Sequence, residues 1–153
     1  MPASSGQTGI LLTWHIHSER PKIIPVPVEI LLIEDNGADV RIIKEIVSHS
    51  SVAVRITVAA DGEKALALLG DPLFQPDLII TDMILPKVSR DDGLRQRNAN
   101  GVPVVVFSAS KNSADKADAL RLGAKEFIEK PTDLDEYTEA VWKMIWKWIQ
   151  APA

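Results

Sequence analysis

No cysteine occurs among the 153 residues. Disulfides, thiolate nucleophiles and cysteine-ligated zinc are therefore excluded. Histidine is scarce: His15, His17 and His49 show no metal-ligand pattern, and the His15/His17 pair reads as ordinary surface histidines of a terminal segment. No apolar run approaches the ~20 residues that a membrane-spanning helix needs. The early apolar stretch Ile10 to Trp14 has no basic segment before it and no small-residue cleavage site after it, so it does not read as a signal peptide. A cytoplasmic location is the expectation. Basic residues are outnumbered, 17 Lys and Arg against 21 Asp and Glu, for a net charge of -4. No clustered basic face is implied, and neither nucleic acid nor membrane is expected as a partner.

The composition that remains is that of an ordinary globular domain, with 46% hydrophobic and 25% charged residues. The length suits one domain with one core. Residues 1–27 carry Pro2, Pro21, Pro25 and Pro27 and sustain no helical period, so they read as an N-terminal extension. The regular pattern spans residues 28–150. Val28 to Ile33 is an apolar strand ending on Glu34 and Asp35. Asn36 is placed to cap a helix running to about His49. Val52 to Val58 is a second strand, and Asp61 caps a helix through Leu69 that Gly70 and Pro72 end. Leu78 to Thr81 and Val102 to Phe107 are continuous apolar strands of the kind buried on both faces. Ala114 to Leu122 is helical, with Ser108, Ser110 or Asn112 placed to cap it and Gly123 as its stop. Glu126 to Ile128 is a fifth strand. Thr132 is expected to cap a last helix, with Asp133, Asp135 and Glu136 complementing its positive end. Such alternation implies right-handed crossovers and a parallel sheet covered on both faces.

In an open parallel sheet, ligands bind beyond the carboxyl ends of the strands. The strands here end on Glu34 and Asp35, on Asp82 and on Ser108, and the fifth leads to Lys130. Gathered at one edge, three carboxylates repel one another and resist unpaired burial. A hard divalent cation such as Mg2+ resolves this with oxygen ligands. With a lysine and a hydroxyl beside it, the set suits a phosphoryl group, whose charge is spread over several oxygens.

The stretches "ILLIEDN", "PDLIITDMILP", "VPVVVFSAS" and "GAKEFIEKP", in this order and spacing, resemble the receiver domain of bacterial two-component response regulators. The resemblance covers residues 28–150. It implies a flavodoxin-like (βα)5 fold with a five-stranded parallel sheet of order 2-1-3-4-5. It implies Asp82 as phosphoacceptor for a histidine kinase. Asp35, Asp82 and the Ile84 backbone carbonyl would ligate Mg2+, with Glu34 acting through water. Lys130 would pair with the phosphoryl oxygens from a cis bond to Pro131. Ser108 would turn in to hydrogen-bond the phosphoryl group, and Phe127 would be the aromatic that moves with it. The output would be a remodelled surface on the last strand and last two helices, read by a downstream protein. Catalysis would extend only to the protein's own phosphorylation and dephosphorylation. The stretch "EDNGADVRI" most resembles single-domain regulators paired with phytochrome-type kinases, and no output domain is recognisable after residue 150.

Two departures stand out. After Pro86 the Asp-Gly pair expected from the resemblance is delayed to Asp92-Gly93, and Leu94 is the only large apolar residue in "LRQRNANG". A short or irregular third helix between Lys87 and Gly101 is therefore expected. That departure keeps open a pseudo-receiver, a fold kept for protein binding without phosphorylation. Ile84 and Ser110 occupy positions that, by the resemblance, influence phosphoryl loss, and a bulky Ile84 is expected to impede the attacking water. The last helix carries the stripe Leu134, Tyr137, Val141, Met144 and Trp148, widened by Trp142, Ile145, Trp146 and Ile149. This reads either as core plus contact with the N-terminal extension or as a homodimer or partner face. A phosphatase of the haloacid dehalogenase type also ends a strand on Asp, but it wants a second Asp where Ile84 stands.

Overall fold

The structure is a computed structural model and describes residues 26–82 and 101–149. Five strands form it: β1 (Val28–Ile33), β2 (Val54–Ala59), β3 (Leu78–Thr81), β4 (Val104–Ser108) and β5 (Glu126–Glu129). Among the described residues there are four helices: α1 (Gly37–Ser48), α2 (Gly62–Leu69), α3 (Ser113–Arg121) and α4 (Leu134–Ile149). All pairings are parallel, and the strand order is β2-β1-β3-β4-β5, as expected. The segment expected to be irregular lies outside the described residues except for Gly101. That glycine has φ +83, a left-handed conformation that a residue with Cβ adopts only at a cost.

The central strands are buried on both faces, which is why their sequences are apolar without alternation. Every residue of β3 and β4 is buried. On one face, Ile30, Leu32, Leu78, Ile80, Val105 and Phe107 pack against Ile43, Ile46 and Val47 of α1 and Tyr137, Val141, Met144 and Ile145 of α4. On the other, Leu31, Ile33, Ile79 and Val104 meet Ala65 of α2. Met144 is 1% exposed, so Met144→Ala removes a filled volume from a core that does not readily collapse. We expect a loss of about 3 kcal/mol in urea unfolding.

Helix starts follow local chemistry. Asn36 Oδ1 accepts from the Ala38 N–H at 2.9 Å, Asp61 Oδ1 from the Lys64 N–H at 2.8 Å, and Asn112 Oδ1 from the Ala114 N–H at 2.8 Å. Asn112, rather than Ser110, caps α3. The cap of α4 corrects the expectation: Asp133, not Thr132, carries it, its Oδ2 accepting from the Glu136 N–H at 3.0 Å. The helix begins at Leu134, so Asp133 is the residue within reach of the third helical amide. Leu134 also departs from the expected stripe, being 61% exposed. The first turn of α4 precedes the part that lies on the sheet, so helical spacing alone overcounts the buried face. Trp142, Trp148 and Ile149 pack partly buried against the core, whereas Trp146 is exposed. Among the described residues no helix is long and apolar enough to cross a membrane.

Candidate functional site

The backbone ladder continues one residue beyond the strand ends and aligns the polar groups. The Glu34 N–H donates to the Ala59 carbonyl at 3.0 Å, the Asp82 N–H to the Ile33 carbonyl at 3.0 Å, and the Lys130 N–H to the Ser108 carbonyl at 2.7 Å. Register pairs Ile33 with Thr81 and Ser108 with Glu129. Glu34, Asp82, Ser108 and Lys130 therefore share the carboxyl edge of the sheet, as the sequence reading expected.

Carboxylate oxygens of Glu34, Asp35 and Asp82 lie within 4.8 Å of one another, with Glu34 buried and Asp35 exposed. Lys130 Nζ faces three acids: Glu34 Oε2 at 2.8 Å, Asp39 Oδ2 at 3.2 Å and Asp82 Oδ2 at 3.6 Å. The Lys130 side chain is 8% exposed and that of Glu34 2%. Burial pushes the Glu34 carboxyl above its ordinary range, against the pull of Lys130 and of the Asn36 N–H, and the Asp82 charge adds to the rise. For Lys130, burial works downward, but Glu34 and Asp39 outweigh it and hold the ammonium above its usual value. The cluster thus keeps its lysine charged while carrying excess negative charge. Three hard oxygen donors at this spacing fit a divalent cation, which repulsion between the acids favours.

Ser108 is fully buried, and its Oγ accepts from the Ser110 N–H at 3.1 Å. Ser110 is fastened in turn, its Oγ donating to Asp115 Oδ2 at 2.6 Å. Phe127 is half-buried on β5 and pairs with Val106, so pleating puts it on the face opposite Phe107. Ile84 lies outside the described residues. The Lys130–Pro131 bond corrects the expectation: no peptide bond among the described residues is cis. Trans is the intrinsically preferred isomer before proline by about 0.5–1 kcal/mol, and from it Lys130 already reaches Glu34 and Asp39.

Three residues of the site were missed in the sequence reading. Asp39, in the first turn of α1, is one. Tyr137 is the second: its hydroxyl donates to Asp39 Oδ1 at 2.7 Å. Phe107 is the third, meeting Tyr137 edge to face at 5.1 Å, with Lys130 Nζ 5.9 Å from its ring centre. Burial and the Asp39 carboxylate raise the Tyr137 pKa far above normal, so the phenol stays a donor. An acid in the first turn of a helix that opens at the functional edge was the available signal for Asp39.

A five-stranded parallel sheet with acids and a lysine at its carboxyl edge defines the class, a receiver domain. The chain belongs to the response regulator receiver domain family, whose profile matches residues 30–142. Among solved structures it is similar to the phosphorylated cyanobacterial phytochrome response regulator RcpA, at 30% identity and TM-score 0.72, over 84% of this chain and 98% of that one. It is also similar to the Mn2+-bound response regulator Rcp1, at 27% identity and TM-score 0.69, over 83% and 98%. Among curated proteins, the Regulator of RpoS of Escherichia coli is 35% identical over 126 residues, 77% of this chain and 35% of that protein. The chain thus spans about a third of that relative's length.

Proposed function

We propose that residues 28–150 act as a phosphorylatable receiver that takes a phosphoryl group from a histidine kinase onto Asp82. The observation that carries this reading is the meeting of Glu34, Asp35 and Asp82 within 4.8 Å with Lys130 3.6 Å from Asp82. A carboxylate at a strand end, flanked by a buried cation, is a nucleophile whose product charge is already provided for. An Asp82 oxygen attacks phosphorus, the bond to the kinase imidazole breaks, and the imidazole nitrogen keeps the electron pair. Lys130 balances charge on the phosphoryl oxygens, and the Ser108 hydroxyl donates to one of them. Asp35, Asp82 and the Ile84 carbonyl would hold Mg2+, with Glu34 acting through water. When bound, the ion supplies charge neutralisation at those oxygens. The Mn2+-bound state of Rcp1 and the phosphorylated state of RcpA support this reading by similarity. Phe127 then shifts with Ser108, and a downstream protein reads the altered surface of α3, β5 and α4. The kinase is of the phytochrome type on the strength of the likeness to RcpA.

Incubation with acetyl phosphate and Mg2+ tests the reading. An intact mass raised by one phosphoryl group, and shifted by hydroxylamine to that of the hydroxamate left as phosphate departs, is the expected result. An unchanged mass contradicts it and leaves a pseudo-receiver that binds partners only. Metal binding has its own check. Mg2+ at about a hundred times its dissociation constant stabilises the fold by about 2.7 kcal/mol, and thermal unfolding should show a rise that Asp35→Asn abolishes.

A further inference from the structure

Lys130 does not sit closest to the proposed acceptor. Its ammonium is 2.8 Å from Glu34, 3.2 Å from Asp39 and 3.6 Å from Asp82. Asp39 is fully engaged, with Oδ2 on Lys130 and Oδ1 accepting the Tyr137 hydroxyl at 2.7 Å. Tyr137 is 5% exposed and lies in α4, packed with Val141 and Met144. Its ring meets Phe107, which lies beside Lys130 and directly precedes Ser108. The contacts close a ring from the lysine through Asp39, Tyr137 and Phe107 back to the lysine.

We propose that Asp39 is a positioning residue that competes with the acceptor for Lys130 and, through Tyr137, ties the position of that lysine to the packing of α4. The proposal rests on Asp82 being the phosphoacceptor. An aspartyl phosphate carries nearly two negative charges where the carboxylate carried one. The balance of forces on the ammonium then shifts toward Asp82. Asp39 is the partner it leaves, since Glu34 is nearer and more deeply buried. Once one oxygen loses the lysine, the carboxylate reorients and takes the Tyr137 hydroxyl with it. Tyr137 sits one turn into α4, so its displacement changes how that helix lies on β4. Trp142 and Trp148 of α4 pack against the same core and report the change.

The test is a beryllofluoride titration of the full chain at fixed Mg2+, with binding followed by 19F NMR and the helix by tryptophan fluorescence. Asp39→Asn keeps the shape and an acceptor for Tyr137 but removes the competing charge. Its half-saturating beryllofluoride concentration should fall about fivefold, the scale of one charge-assisted contact. Asp39→Ser, which also removes the charge, should shift the same way. Structural damage would weaken binding, so tightening separates positioning from mere support. Tyr137→Phe keeps the ring against Phe107 and deletes only the hydroxyl. Its fluorescence change at saturation should fall by at least about half, the hydroxyl being the polar link to the site. An unshifted or weakened Asp39 variant, or a full fluorescence change in Tyr137→Phe, overturns the proposal while the phosphoacceptor reading stands. Wild-type protein that binds no beryllofluoride overturns both.

Discussion

Lys130→Met lowers the stability of the metal-free protein by about 3 kcal/mol, the cost of removing one partner from a buried charge pair. For a chain of this size the thermal midpoint falls by roughly 10 °C. The size follows from what stays behind. Glu34 is 2% exposed and Lys130 8% exposed, and the variant leaves the acids of Glu34, Asp39 and Asp82 facing one another without their common cation. Burying a neutral methionine does not compensate, because a hydrophobic replacement is benign only when both partners are replaced. Mg2+ should stabilise this variant by more than it stabilises the wild-type protein, because it supplies positive charge to the same acids, whereas an unspecific packing defect would leave the Mg2+ increment unchanged. Lys143, paired with Glu139 at 3.0 Å but 75% exposed, is the control. Lys143→Ala should change stability by no more than about 0.5 kcal/mol. Urea unfolding of both variants with and without Mg2+ decides the matter, and equal effects of the two lysines would refute the electrostatic reading of the cluster.

Asp82→Asn produces the opposite pair of effects. The nucleophile is gone, so transfer from acetyl phosphate should fall by at least about a thousandfold. The fold should not suffer. Lys130 keeps its two shorter contacts, to Glu34 and Asp39, and one member of a repelling carboxylate set has been neutralised. Metal-free stability is therefore expected to be unchanged or higher by up to about 1 kcal/mol. The Mg2+ stabilisation should shrink, since one of the three oxygen donors has lost its charge. An inactive variant that is also clearly destabilised would mean that Asp82 serves the architecture, not the chemistry.

What was legible in the sequence and what was not divide along a physical line. The strands were legible because strands buried on both faces are apolar, so Leu78–Thr81 was read with its observed bounds and Val104–Ser108 was read as Val102 to Phe107, one residue short at the end and two residues early at the start. The site was legible in outline because a parallel sheet delivers all its strand ends to one edge, which brings Glu34, Asp82, Ser108 and Lys130 together. Asp39 and Tyr137 were not legible. Their bonds to Lys130 and to each other span 91 and 98 residues of chain; a place in the first turn of α1 puts Asp39 near the edge, but no local pattern says which residues it meets. The cap of α4 was misplaced by one residue because Thr132 and Asp133 are both good caps and only the helix start chooses between them. The cis bond before Pro131 came from the resemblance to the family and not from any residue of this chain. Leu134 was placed in the apolar stripe and is exposed, because helical periodicity says which face is apolar, not where the helix first touches the sheet.

The most direct measurement is the chemical location of the phosphoryl group. The protein is phosphorylated with acetyl phosphate and Mg2+, then reduced with borohydride, which converts an aspartyl phosphate to homoserine. The peptides are sequenced by mass spectrometry. Homoserine at residue 82, and at no other aspartate, is the expected result. Unmodified Asp82 in every peptide, or homoserine at Asp35 or Asp39 instead, would contradict the assignment of the acceptor.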